Sequence, residues 1–224
     1  MKTRRNFIRG ILGGLGFVGL LVSPFYALIR SGLAEAKKII LPKDTKRESL
    51  VSKDPANLDT RNLQITPLED FDTMGPTDHE VDLNKWRLEV NGHVKTPLKL
   101  KYEEITSLPS LERDVLLICP GVFANHGRWK GISISELFKM AKEEENATHV
   151  TVRGLRGATE KVERFPIQDI LSNKVFLAYG VNGQILPQRH GFPIRIVAEG
   201  YYGDDWVKYV DVITVEKIQE PPKG

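Results

Sequence analysis

Four side-chain types in this chain could do chemistry together: a thiol, an imidazole, a guanidinium and an ammonium. Cys119 is the sole cysteine of 224 residues, so it has no partner for an internal disulfide. It ends the apolar run Val115-Leu116-Leu117-Ile118, and Pro120-Gly121 follows at once. A thiol at the end of a buried strand, where the chain turns sharply, is placed to present a soft ligand or a strong nucleophile to a cleft. Its plainer reading is a small buried hydrophobe. Far downstream, His190 and Arg195 bracket the turn Gly191-Phe192-Pro193, and Gly203-Asp204-Asp205-Trp206-Val207-Lys208 forms a second turn that ends in a lysine. A buried anion such as a phosphate needs several charge-assisted donors converging from fixed backbone. His190, Arg195 and Lys208 could supply them, or could each be an ordinary loop or strand residue.

The elements that must position these groups begin near Trp86. Trp86–Val90 alternates apolar and polar residues and meets an Asn91-Gly92 turn. Tyr102–Ser107 reads as a short helix, and Arg113–Ile118 as a buried strand leading into Cys119. Ser133-Ile134-Ser135-Glu136 has capping-box spacing and opens a helix through Lys142. His149–Arg153, Val175–Tyr179, Ile194–Val197 and Lys208–Val215 read as strands, and Pro166–Ser172 as a short helix. Strands and isolated helices without strict alternation favour an α+β fold over a doubly wound sheet. Residues 37–80 show little periodicity. The division expected is 1–36 as an export signal, 37–60 as an irregular lead-in, 61–216 as one catalytic domain and 217–224 as a tail.

The first segment carries Thr3-Arg4-Arg5-Asn6-Phe7-Ile8, then an uncharged Gly-rich stretch from Ile11 to Ile29, then Ala34-Glu35-Ala36. A twin-arginine start, an apolar middle and an A-x-A end are the pattern of an export signal; if it stays uncleaved, the stretch is long enough to anchor the protein in a membrane. The whole chain holds 32 Lys and Arg against 29 Asp and Glu. Removing Lys2, Arg4, Arg5, Arg9, Arg30 and Glu35 leaves 27 basic and 28 acidic groups. No basic stripe then remains to suit nucleic acid.

Three motifs in order resemble the sulfite oxidase family of molybdopterin enzymes, and within it the small exported bacterial members. They are WRLEVNGHVKTPLKL, VLLICPGVFANHGRWKGISISELFKMA, and LAYGVNGQILPQRHGFPIRIVAEGYYGDDWVKYVDVITV. The resemblance spans roughly residues 60–216 and implies a molybdopterin-binding fold of mixed sheets with short helices in a single domain. It implies that Cys119 binds molybdenum through its thiolate, and that His190 and Arg195 hold the phosphate of the pterin. Trp206, Val207 and Lys208 match a turn that touches the cofactor through backbone and lysine, Arg156 matches a pterin contact, and Phe71-Asp72-Thr73 matches a short cofactor-binding segment.

Departures from the family pattern bear on substrate. Leu68-Glu69-Asp70-Phe71-Asp72 lacks the arginine expected there, and Glu199 stands where relatives usually have proline. Sulfite is an anion and wants that positive charge, so it is not the expected substrate. His126 and Arg128, in the loop expected after Cys119, are the candidates to line the substrate pocket instead. With no C-x-x-C-H motif for haem, electrons come from a separate redox partner, haem- or quinone-linked and soluble or membrane-bound. The chain stops at Gly224, so the immunoglobulin-like dimerisation domain of sulfite oxidases is not expected.

The function expected is therefore periplasmic two-electron oxygen-atom transfer at a molybdenum–molybdopterin cofactor, on a small-molecule or oxidised-protein substrate such as methionine sulfoxide. The alternatives are a metal-free enzyme pairing Cys119 with His126 or His190, and a non-catalytic binding module on the same fold. The twin-arginine reading has a direct test. Changing Arg4→Lys with Arg5→Lys preserves charge, and cell fractionation should then find the precursor retained in the cytoplasm; unchanged periplasmic delivery would mean ordinary secretion.

Overall fold

The computed structural model describes residues 38–155 and 160–218. The export signal read at 1–36 and Arg156 lie outside the described residues, as does most of the tail. The strands, in chain order, are β1 (Ile39–Ile40), β2 (Leu58–Asp59), β3 (Leu88–Gly92), β4 (Leu98–Leu100), β5 (Ser110–Cys119), β6 (Phe123–Ile132), β7 (His149–Gly154), β8 (Lys161–Pro166), β9 (Val175–Val181), β10 (Gln184–Ile185), β11 (Arg195–Ala198) and β12 (Val210–Glu216). Three short helices, α1 (Tyr102–Thr106), α2 (Ile134–Ala141) and α3 (Ile167–Leu171), sit between them.

One sheet runs β10-β9-β6-β5, with β11 also paired to β9, and another runs β4-β3-β12-β7-β8. The pairs β1–β2 and β3–β12 are parallel, and the other pairs are antiparallel. The α+β reading of mixed sheets with few short helices holds. Both sheets share a core. Leu88, Val90, Val152 and Ile213 from the second sheet join Phe176, Leu177 and Ile196 from the first. Helix α2 buries Ile134, Leu137, Phe138 and Ala141, spaced to form one apolar stripe. Ser133 caps it by accepting from the Ser135 N–H at 3.2 Å, which satisfies one of the unpaired donors of the first turn.

The hairpin of β5 and β6 positions the site. It pairs without interruption from Ser110↔Ile132 to Cys119↔Phe123. Its turn is Cys119-Pro120-Gly121-Val122. The Val122 N–H donates to the Cys119 carbonyl at 3.0 Å, and Gly121 has φ +72. Proline second and a positive-φ glycine third are what a type II turn requires. The loop expected after Cys119 is thus a ten-residue strand. Its polar run Asn125-His126-Gly127-Arg128 hides the alternation that marks a strand. It is a strand because β5 and β9 pair with it on both edges.

Side chains alternate faces along the hairpin. Val115, Leu117 and Cys119 join the main core, whereas Leu116, Ile118 and Ala124 join a second cluster with Leu41, Leu50, Leu58 and Leu63. The aperiodic residues 41–63 therefore spend their four leucines covering the back of the site hairpin. Truncating Ile118, fully buried at 0 % exposure, should loosen this cover. Ile118→Ala should lose about 2–5 kcal/mol in urea unfolding. Ile185→Ala, at a side chain 70 % exposed, should stay within about 0.5 kcal/mol of wild type.

Candidate active site

A cavity of about 420 Å³ opens at the Cys119 end of the hairpin. Eight of the residues read from the sequence line it together: Phe71, Asp72, Thr73, Cys119, His190, Arg195, Trp206 and Lys208. They come from chain segments up to 137 positions apart, brought together by three local devices. The β5–β6 turn delivers Cys119. The Ile196 N–H donates to the Val207 carbonyl at 2.8 Å, and the Val210 N–H to the Ile194 carbonyl at 2.8 Å, so the stretch carrying Trp206 and Lys208 runs beside β11 and Arg195. The segment 71–76 is then tied down across the opening. The Asn125 amide donates to the Asp72 carbonyl at 2.8 Å and accepts from the Asp72 N–H at 3.3 Å. Lys208 Nζ donates to Thr73 Oγ1 at 2.8 Å and to the Pro76 carbonyl at 3.0 Å.

Three predicted residues fall elsewhere. Val207 is buried at 0 % exposure; it does not line the cavity, and its carbonyl is engaged by β11. His126 and Arg128 pair with Leu116 and Asp114, on the face of the hairpin opposite Cys119. His126 Nδ1 lies 3.2 Å from the Gln64 carbonyl, and Arg128 forms a two-pronged pair with Asp114 at 2.7 and 2.9 Å. Neither lines the cavity, because each is one residue out of phase with the wall formed by Phe123, Asn125 and Trp129. Asn125 is the residue sequence reasoning missed. Its signal was its register: it faces Leu117, two rungs from Cys119.

The inner wall is cationic. Arg195 is 4 % exposed, and among the described residues no carboxylate pairs with it. Its Nη1 donates to the His190 carbonyl at 2.9 Å, and its guanidinium lies 5.1 Å from the Trp129 ring and 5.4 Å from the Trp206 ring. Burial pushes its pKa down to about 10, so it stays charged at neutral pH. Lys208 is pushed down to about 8 by burial and by the charges of Arg195 and Arg189. His190 is pushed down to about 4 by burial and by Arg195, Arg189 and Lys208, so at neutral pH it is an uncharged imidazole with one N–H to donate. The buried indole N–H of Trp206, which also lines the cavity, has no hydrogen-bond partner. The buried guanidinium and the unpaired indole N–H thus line one cavity, where both can donate to an anion.

The outer wall holds the sulfur. Burial, then the Asp204 carboxylate, push the Cys119 thiol up, while Arg195 and Lys208 pull it down. Gly203 packs so closely that a Cβ there would lie 2.7 Å from Sγ. Among the described residues no hydrogen bond engages Sγ, and no three His, Cys, Asp or Glu side chains converge as a metal site.

Comparison with known proteins agrees with this chemistry. The chain matches the model of the oxidoreductase molybdopterin binding domain over residues 74–222. It is 29% identical over 148 residues to the uncharacterized oxidoreductase YuiH of Bacillus subtilis, covering 66% of this chain and 73% of that one. It is 24% identical to the protein-methionine-sulfoxide reductase catalytic subunit MsrP of Campylobacter jejuni, covering 100% of this chain and 75% of that one. The sulfane dehydrogenase SoxCD from Paracoccus pantotrophus shares the fold, with a TM-score of 0.59 at 20% identity over 85% of this chain and 52% of that one. The chain belongs to the oxidoreductase molybdopterin binding domain family, within the sulfite oxidase class. It is an enzyme, an oxidoreductase that binds molybdopterin. The family match begins at residue 74, so Phe71, Asp72 and Thr73 wall the cavity from outside it.

His190 gives the site a pH signature. Its folded pKa, about 4, lies below the ordinary 6.5. Between these values the unfolded chain binds a proton that the folded one refuses, so stability rises with pH there and is lost as pH falls from 6.5 toward 4. In cofactor-free protein, thermal unfolding followed across that window should show this loss. His190→Asn should flatten it.

Proposed function

We infer that this chain is an exported, periplasmic oxidoreductase that removes an oxygen atom from a sulfoxide-type substrate at a molybdenum held by Cys119. The observation that carries the reading is one cavity lined by both a soft sulfur and a buried cation, the sulfur without a hydrogen bond and the cation without a carboxylate among the described residues. Arg195, Lys208, the His190 N–H and the Trp206 indole N–H fit the phosphate end of a pterin. Phe71, Asp72 and Thr73 close the side, and Arg156 joins them by resemblance. Bound there, the cofactor supplies a two-electron metal centre, and the thiolate of Cys119 is the soft donor that tunes it.

The protein residues hold, shape and exclude. The Asn125 amide keeps the 71–73 segment across the opening, and the two tryptophans keep water from the guanidinium. In the overall reaction the sulfoxide S–O bond breaks, sulfur gains two electrons, and oxygen leaves as water after taking two protons. A separate redox partner supplies the electrons. The absence of an arginine in 68–72 and the presence of Asp72 and Asp204 in the lining suit a neutral substrate better than sulfite. The similarity to a protein-methionine-sulfoxide reductase supports the same choice. The metal-free reading is disfavoured by two observations: His126 is on the wrong face, and a Cys119 thiol pushed up is the reverse of what an activated nucleophile needs.

The test is cofactor content in purified variants. Removing a buried charged contact typically costs about 2–5 kcal/mol of binding, more than tenfold. Arg195→Ala should be folded but depleted of pterin and molybdenum, whereas Arg128→Ala, altered on the back face, should keep both. Cys119→Ser should keep pterin while losing sulfoxide reduction and thiolate-to-metal absorption. Equal cofactor content in the two arginine variants, or full activity without the thiol, would sink the reading.

A further inference from the structure

Asp204 brings a carboxylate to the stretch of cavity wall that packs on the sulfur. Asp204 follows directly on Gly203, the residue packed against Cys119 Sγ, and both line the cavity. The Asp204 side chain is exposed, and among the described residues no hydrogen bond or ion pair engages its carboxylate. Its charge therefore bears on whatever enters the cavity beside Gly203.

Among the described residues, most of the other charged groups that line the cavity have partners of their own. Lys161 lines the cavity but pairs with Glu163. Lys208 Nζ is held by Thr73, Pro76 and Arg189 at 2.8 to 3.0 Å. Arg195 is buried between two indoles. Arg47 opens on an adjoining cavity of about 130 Å³, where its guanidinium donates to the Asp70 carbonyl at 3.0 Å. Asp72 has its backbone fixed by Asn125 and stands between the two cavities. The rim around these groups is apolar, with Met74 55 % and Val122 60 % exposed.

We propose that Asp204 is a specificity-determining residue: its carboxylate beside the Cys119 sulfur repels anionic oxygen donors and leaves the reacting position to neutral ones. The assignment rests on the oxygen-atom-transfer reading of the same site and adds to it the group that excludes the competitors. The physics is a carboxylate with no partner among the described residues, in a low-dielectric cleft where the opposing Arg195 and Lys208 are held by hydrogen bonds; such a charge raises the local concentration of one charge class over another. Of the charges acting on the Cys119 thiol this carboxylate is the largest, with Arg195 and Lys208 opposing it. A unit charge about 4 Å away contributes about 1 kcal/mol even in bulk water, which is about fivefold.

Two measurements on full-length protein test this. In cofactor-free protein, alkylation of Cys119 is followed with anionic iodoacetate and with neutral iodoacetamide at one pH. The ratio of the two rates cancels the thiol's own ionisation and reports the charge met on approach. Asp204→Asn should raise the iodoacetate-to-iodoacetamide ratio about fivefold, and Asp204→Glu should restore it. Screening by 1 M salt, where the Debye length is about 3 Å, should shrink the difference. In the molybdenum-loaded enzyme, with a reduced viologen as electron donor and dimethyl sulfoxide as substrate, Asp204→Asn should lower the inhibition constant of nitrate about fivefold. The KM for the neutral substrate should stay within twofold. An alkylation ratio unchanged by Asp204→Asn overturns the proposal, as does a nitrate inhibition constant unchanged in an enzyme that does turn over. Wild-type enzyme that carries the metal but reduces no sulfoxide would sink the functional reading instead, and the alkylation ratio would still decide what Asp204 does.

Discussion

Cys119 and Phe123 face each other across the last rung of the β5–β6 hairpin, and that register governs what the rest of the molecule can present to the sulfur. In a pleated pair, side chains two apart share a face, and a slip of one residue exchanges the two faces entirely. The uninterrupted ladder puts Asn125 and Trp129 with Cys119 and sends His126 and Arg128 to the back. The type II turn is what makes the register strict. A proline and a positive-φ glycine leave one way to cross between the strands. The face behind the sulfur must then be covered, and Leu41, Leu50, Leu58 and Leu63 cover it. The aperiodic segment that carries them is packed structure because the hairpin has two apolar faces.

A guanidinium buried without a carboxylate is unfavourable in a folded protein, since the charged form loses hydration it does not fully regain. Here it is partly offset by the His190 carbonyl and by two indole faces. Burial, and then the neighbouring cations, make His190 a neutral imidazole in the free protein. Holding charge in reserve in this way is how a rigid site gains affinity for an anion. The donors are already oriented, and less ordering is needed when the ligand arrives.

One cavity carries both signs of charge: Arg195 and Lys208 line it, and so do Asp72 and Asp204. The family's shared fold then leaves room for substrate choice in a few residues around the sulfur, consistent with function residing in sites set on common folds.

Much of this was legible before any tertiary structure. The apolar runs marked β5, β7, β9, β11 and β12, and the capping-box spacing of Ser133-Ile134-Ser135-Glu136 marked the start of α2. The chemistry-bearing residues were legible as well, because thiol, imidazole, guanidinium and ammonium groups are conspicuous against punctuation by glycine and proline. Local sequence by itself determined these features, since backbone propensity and side-chain chemistry act within a few residues. Only the tertiary structure decided that β6 is a strand, since its polar residues are held by pairing on both edges. It decided that His126 and Arg128 lie behind the sheet, that Val207 is buried away from the cavity, and that Asn125 closes the site. It also decided the charge pattern, because the burial of Arg195 against Trp129 and the placement of Asp204 beside the glycine packed on Cys119 depend on residues more than sixty positions away. The physical reason is that alternation is set by strand register and desolvation by packing, and both are long-range properties that no short stretch of chain contains.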